Sequence, residues 1–481
     1  MCYTERYECR EKGEIMTEMK RQNETDSLGT ERIGKLLFRL SMPAIAAQLV
    51  NLLYNVVDRM YIGHIEGIGK LALTGVGICL PLILLISAFA ALVGMGAAPR
   101  ASIYLGKDEK ENAEGILGNS FVLLLGVSVI LTIVFLVFGK KLLMTFGASE
   151  NTIGYAMQYM GIYCIGTMFV QMTIGLNPFI SAQGFAKYSM LTVCIGAGCN
   201  IILDPIFIFG FKMGVRGAAL ATILSQAVSA IWIWRFLTGK KTTLRLKMSN
   251  MKLRKEWYIP SLALGLAPFI MQSTESLISV CFNSSLLKYG GDIAVGSMTI
   301  LSSVMQFALM PLQGVTQGAQ PIISYNYGAE NMERVKQAFR LLFTICLSYS
   351  MVIWLFVMIM PGVFVKIFNN DPQLLTFASR ALRIYMGATG IFGIQMACQN
   401  TFIAIGNAKS SLFLALFRKV FVLVPLIYLM PAILPGLLYV DKTTAVFMAE
   451  PVADFIAVVT TATMFFIQFR KIGSKKGELH Q

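Results

Sequence analysis

The chain has 481 residues, of which 56% are apolar and 14% charged, with a net charge of +15 and a mean hydropathy of +0.65. Soluble domains carry roughly 45–50% apolar and about 25% charged residues, so a soluble enzyme, a disordered regulator and a fibrous protein are excluded. The surplus of 41 Lys and Arg over 26 Asp and Glu needs no nucleic acid to explain it, because the cytoplasmic loops of membrane proteins collect Lys and Arg.

Residues 1–30 are polar and lack the charged-then-apolar order of a signal peptide. They read as a cytoplasmic tail, disordered to about Ser27, with Met16 and Met19 as alternative starts. A bilayer core of about 30 Å needs roughly 20 apolar residues in helical form. Twelve such runs follow, near 36–60, 70–98, 115–138, 152–182, 188–210, 214–238, 258–287, 293–316, 335–361, 374–404, 410–436 and 442–469. The expected fold is therefore an all-α polytopic membrane protein. Spans 1 to 6 fill 31–238, a basic linker fills 239–256, spans 7 to 12 fill 257–470, and 471–481 form a second tail.

With the N-terminus placed inside, 30 of the 41 basic residues fall on that side, 8 on the other, and Arg59, Arg380 and Arg383 in or at spans. Arg418 and Lys419 are counted among the inside loop residues in this sorting. The bias puts both termini and the linker in the cytoplasm. Arg380 and Arg383 read as interfacial, with heads that snorkel to water.

The chain repeats itself. Gly96-Ala-x-Pro99-x-x-Ser102-x-x-x-Gly106 recurs as Gly318-Ala-x-Pro321-x-x-Ser324-x-x-x-Gly328, and Gly184-x-Ala-Lys187-x-Ser189 recurs as Gly406-x-Ala-Lys409-x-Ser411. Both blocks, and the pairs Phe146/Phe368 and Tyr163/Tyr385, share one offset of 222 residues. Six spans per half is an even number, so the two halves enter the membrane in the same direction. That predicts two six-helix lobes related by a pseudo-two-fold axis along the membrane normal, the arrangement of transporters that bind substrate between halves and rock them.

Five acidic residues fall inside spans: Asp58, Asp204, Glu275, Glu450 and Asp454. A charge at mid-bilayer costs about 2.5–3.5 kcal/mol, so these should face the protein interior or a wet cavity. Asn200 and Asp204 share a helix face at i, i+4, and Pro205 withholds a backbone N–H beside them. The alternative is an Asp that caps a helix end. Asn51, Asn55 and Asp58 form a polar stripe, with an interfacial Asp58–Arg59 pair as the plain alternative. Glu450 and Asp454 lie one turn apart beside Pro451, and Glu275 sits among Gln272, Ser273, Thr274 and Ser276; structural polar contacts are the alternative for both. Against these five acids only three basic residues stand near spans, so an acidic cavity is expected. With only His64 and His480 present, carboxylates must carry any proton traffic, and the cysteines, with no CxxC pair, read as small apolar residues.

Together, Pro43…Gln48-Leu-x-Asn51-x-x-Tyr54-Asn55-x-x-Asp58 with Gly63, Gly94–Gly106, Asn200-Ile-Ile-Leu-Asp204-Pro205 and Ala449-Glu450-Pro451-x-Ala453-Asp454 resemble the multidrug and toxic compound extrusion (MATE) family over about residues 30–470. The likeness is to the bacterial branch of the DNA-damage-inducible F-type and multidrug-export A-type members. It implies two lobes in a V, alternating access, and export of cationic or amphipathic small molecules against inward H+ or Na+. It also implies a multi-pass protein of the bacterial inner membrane, in contact with lipid and working as a monomer. No cofactor beyond the coupling ion is implied, and no nucleic acid. The family's N-lobe cation site carries over onto Asp58, Asn200, Asp204 and Thr222, where H+ or Na+ would bind, with Asn177 a looser match. The C-lobe site of the vibrio-type branch matches poorly: Glu275 is about one residue off register, and span 10 reads Gly393-Ile-Gln395-Met396 without a carboxylate. Asn51, Asn55, Asn177, Glu275, Glu450 and Asp454 remain candidates for substrate contact or secondary coupling. The competing expectation is a flippase for a lipid-linked oligosaccharide, or a narrow-substrate exporter, in the same two-lobe fold.

Overall fold

The computed structural model describes residues 24–368 and 371–474, and among these every regular element is helical. Spans 1 to 6 are Ile33–Gly63, Gly69–Gly106, Lys110–Thr145, Ile153–Ile165 continued by Thr167–Ala182, Ala186–Pro205 continued by Ile206–Gly210, and Val215–Thr238. The 74-residue helix Lys255–Gly328 would be about 110 Å long if straight, more than three bilayer cores. It is two spans. Gly291, at φ 63°, takes a backbone conformation open to glycine and reverses the chain. Phe282 and Leu286 before it then share a core with Ala294 and Leu301 after it. Span 9 is Met332–Ile359. Span 10 is Pro372–Tyr385 continued by Thr389–Ala404, span 11 runs from Ala408–Leu416 through Phe417–Leu423 to Val424–Leu438, and span 12 from Lys442–Phe447 to Ala449–Ser474. The expected twelve spans and two lobes are present.

The apolar cores show how the lobes meet. One cluster (Cys79, Leu82, Tyr159, Tyr163, Ile208) lies wholly within spans 1–6, and another (Phe282, Leu301, Leu382, Phe447) wholly within spans 7–12. Two more cross the boundary: Leu36 and Leu40 of span 1 pack with Leu312 and Ile322 of span 8, and Ala97 and Leu105 of span 2 pack with Trp257 of span 7. Both crossing clusters lie where span 1 begins and span 8 ends, called here the terminal end. The lobes are welded there and share no apolar cluster towards the other end, where the clusters among the described residues stay within one lobe or the other.

The repeated glycine motifs make the weld. A Cβ on Gly106 would run into the Tyr325 carbonyl, and one on Gly328 into the Ile103 carbonyl. A Cβ on Gly96 would strike span 7 at Ser261, and one on Gly318 would strike span 1 at Ser41. These reciprocal contacts place the pseudo-two-fold axis between spans 2 and 8. Hydrogen bonds join the same surfaces: Ser41 Oγ to Val315 O (3.4 Å), Ser102 Oγ to Pro321 O (3.4 Å) and Arg100 to Trp257 O (2.8 Å).

One expectation at the terminal end changes. Residues 24–30 are helical and Leu28 is fully buried, so the order expected to begin near Ser27 begins earlier; residues 1–23 and 475–481 lie outside the described residues. The 239–256 linker is packed against the first lobe. Gln183 Oε1 accepts from Thr242 Oγ1 and from the amides of Thr243 and Leu244, and buried Glu114 meets Lys247 at 2.6 Å.

Candidate functional site

The N-lobe cluster is built by three spans. Asp204 is the nineteenth residue of span 5 and fully buried, next to the π-helical turn Ile206–Gly210 that follows Pro205. Proline leaves the carbonyl one turn back without its amide partner, and the wider turn absorbs the mismatch. Asn200, 2% exposed, donates from Nδ2 to Asp204 Oδ1 at 3.3 Å. Asp58 of span 1 lies close to the Asp204 carboxyl, and Thr222 of span 6 lies close to Tyr159. Thr222 Oγ1 itself donates to Ala218 O (2.9 Å). Three buried acceptor oxygens here, Asp58 Oδ1, Asn200 Oδ1 and Asp204 Oδ2, have no donor. Buried polar atoms are normally satisfied, so oxygens left bare together make a donor set for a proton or a small hard cation. Among the described residues, no group of three or more His, Cys, Asp and Glu side chains suits a transition metal.

The sequence reading missed the aromatic wall of this site. Tyr159 and Tyr163 stack at 6.0 Å beside Tyr54 and the carboxyls. Both sit on the first helix of span 4, which bends by 59° at Gly166 before its second helix. The signal was the 222-residue pairing of Tyr163 with Tyr385, which lies beside the acidic groups of the other lobe.

Other candidates fall elsewhere. Asn55 Nδ2 donates to Asn51 O (2.6 Å), and both residues are exposed on the wall of span 1, while Asp58 turns into the lobe. Asn177 bonds the Ser189 carbonyl (3.3 Å). Ser189 precedes Asp204 by 15 residues, about 22 Å along the helix. Asn177 therefore does not join the cation cluster, because one helical span separates the two ends on which they sit.

The C-lobe holds a second polar cluster, and it corrects the charge count. Arg418 and Lys419, expected in a loop, lie inside span 11 at 7% and 6% exposure, on the π-helical segment Phe417–Leu423. Arg418 pairs with Asp454 (2.7 Å) and Glu450 (3.1 Å), and Lys419 with Glu275. Buried guanidinium and ammonium groups are tolerated because their partners are also in place. The surplus of acids behind the expected acidic cavity therefore shrinks, since three of the five acids are set against two bases here. Glu450 and Asp454 hold a buried cation rather than lining open space. Glu275, whose side chain is 57% exposed, sits over Lys419 and is the one carboxylate of the set that opens outward. Beside it, Met271, Gln395, Gln399, Leu414 and Ala415 close around Arg418 and Lys419, and Gln272 Oε1 and Gln395 Oε1 have no donor.

The model of the MatE family matches residues 43–206 and 268–429, one block in each lobe. The chain belongs to the MatE family. The first matched block contains Asp58, Asn200 and Asp204, and the second contains Glu275, Arg418 and Lys419, whereas Thr222, Glu450 and Asp454 fall outside both. Among curated MatE-type relatives, the multidrug export protein MepA of Staphylococcus haemolyticus is 25% identical over 428 residues, covering 89% of this chain and 92% of its own. MepA of Staphylococcus aureus is 24% identical over 407 residues, covering 83% and 88%. The fold matches a MATE crystal structure in the bent conformation, with TM-score 0.86, 24% identity, and coverage of 94% of this chain and 99% of that one. It also matches an outward-facing multidrug resistance MATE transporter of the MOP superfamily, with TM-score 0.84, 23% identity, and coverage of 93% and 98%. The MatE assignment makes the chain a multi-pass membrane transporter with two six-span lobes.

Proposed function

We propose that the protein exports cationic or amphipathic small molecules in exchange for inward H+ or Na+, by alternating access between its two lobes. The observation that carries this reading is the trio of bare oxygens on Asp58, Asn200 and Asp204. Two carboxyls close together in an apolar lobe hold one cation between them more favourably than two negative charges. The site sits within one lobe, towards the end where the lobes share no apolar cluster, so its occupancy can alter span 1 and with it the cleft wall. The names of the MepA relatives support drug-like cargo. The Lys and Arg content of the terminal end supports a cytoplasmic position for it and for both termini, and the relatives' bacterial sources support the inner membrane. In that orientation the cleft is open outward.

The flippase reading needs cations free to meet a pyrophosphate. The two buried C-lobe cations are already matched by Glu275, Glu450 and Asp454, so the cargo side favours positive or zwitterionic compounds. The test is ethidium movement in proteoliposomes under an imposed proton gradient and then a sodium gradient. Movement driven by one gradient, at least about tenfold weaker in Asp204→Asn and unchanged in Asn177→Ala, is expected. Gradient-driven movement that survives Asp204→Asn and Asp58→Asn would remove the N-lobe site from the mechanism.

A further inference from the structure

Residues 24–30 form about two helical turns that lie across the seam between the lobes at the terminal end. The side towards spans 1–6 is held by Thr25, whose Oγ1 donates to Gln183 O (3.1 Å) and lies 2.8 Å from Thr243 Oγ1. Arg39 of span 1 reaches back to Ser27 Oγ (2.5 Å) and Glu31 (3.2 Å). The other side is held by spans 8 and 9. Asn326 Nδ2 donates to the Leu28 carbonyl (2.8 Å). Arg334 donates from Nη2 to the carbonyls of Leu28 (3.2 Å) and Glu31 (2.7 Å), and from Nε to Asn326 Oδ1 (3.0 Å). A guanidinium at the carbonyl end of a helix is also favoured by the helix dipole. Between the two grips, Leu28 is fully buried in a core that contains Leu36 of span 1 and Ile322 of span 8, and Gly29 lies against the Tyr325 ring.

We propose that this segment is a strap that locks the terminal end shut, and that Arg334 and Asn326 form its releasable clasp. The strap runs directly into span 1, so its Thr25 and Arg39 contacts travel with the first lobe. Separation of the lobes at this end must therefore pull the Leu28 and Glu31 carbonyls away from Arg334 and Asn326. Loosening the clasp favours the inward-open state; loosening the Thr25 side does not. The inference rests on the rocking of the lobes proposed above.

The experiment is labelling of Ser102→Cys, a fully buried seam position, in the full-length protein. A water-soluble maleimide is applied and the labelled peptide is quantified by mass spectrometry. Four backgrounds are compared: otherwise wild type, Arg334→Gln, Arg334→Lys and Thr25→Ala. Labelling about tenfold faster in Arg334→Gln is expected, with partial restoration by Arg334→Lys and no change in Thr25→Ala. Equal acceleration by Thr25→Ala would mean general loosening and would overturn the clasp. No acceleration in Arg334→Gln, while ethidium or acidification still changes labelling of the parent, would overturn the strap and leave the rocking intact. Labelling that never responds to either in any background would refute the rocking itself and the strap with it.

Discussion

Replacing Arg418 with Met tests whether the C-lobe cluster is held together as a charge unit. Arg418 is buried at 7% exposure and joins Asp454 and Glu450, which are 1% and 6% exposed. Removing one partner of a buried ion pair costs about 3–5 kcal/mol, because the remaining charge has neither water nor counter-ion. Two carboxylates are stranded here, so the upper part of that range applies. Arg418→Met should therefore unfold far more easily than the parent. The assay is the unfolding midpoint of the purified protein in mild detergent titrated with SDS, at pH 7.5. Arg418→Met combined with Glu450→Gln and Asp454→Asn should regain most of the loss, since apolar or neutral replacement of a whole buried ion cluster is often harmless. A single variant as stable as the parent at pH 7.5 would refute the reasoning, as would a triple variant no better than the single one.

Two further outcomes follow from the packing and from the exposed carboxylate. Gly106→Ala should cost about 1–3 kcal/mol through overpacking against the Tyr325 backbone, whereas Gly126→Ala, at an open helix position with nothing within 4 Å, should gain about 0.5–1 kcal/mol. The same SDS titration reads both, and a neutral Gly106→Ala would contradict the close seam between spans 2 and 8. Lys419→Gln should free Glu275 for a ligand cation. Because Glu275 is more than half exposed, the pair is worth only about 0.2–1 kcal/mol. Ethidium binding, followed by fluorescence anisotropy, should therefore tighten by up to about fivefold. Unchanged or weaker binding would show that Lys419 does not compete with cargo.

Much of the molecule was legible before the fold. Apolar run length fixes a span because lipid offers no partner to a bare backbone, so twelve runs became twelve spans with ends displaced by several residues. The 222-residue repeat predicted the two lobes, and its glycines turned out to be the points where the lobes touch. Asn200 and Asp204 were readable as a pair because four residues along a helix is a local distance. What stayed hidden was non-local. Arg418 and Lys419 looked like loop cations because their partners are 36, 32 and 144 residues away in sequence. Asn177 looked like a site residue because residue type does not say which end of a span faces which. Residues 24–30 looked like a tail because Leu28 gains burial only when two lobes close around it. Hydropathy and periodicity are properties of neighbouring residues, and the sequence by itself determined everything that depends on them. The tertiary structure alone decided which charges are neutralised and which surfaces are shared, because both depend on groups that only folding brings within a few ångströms.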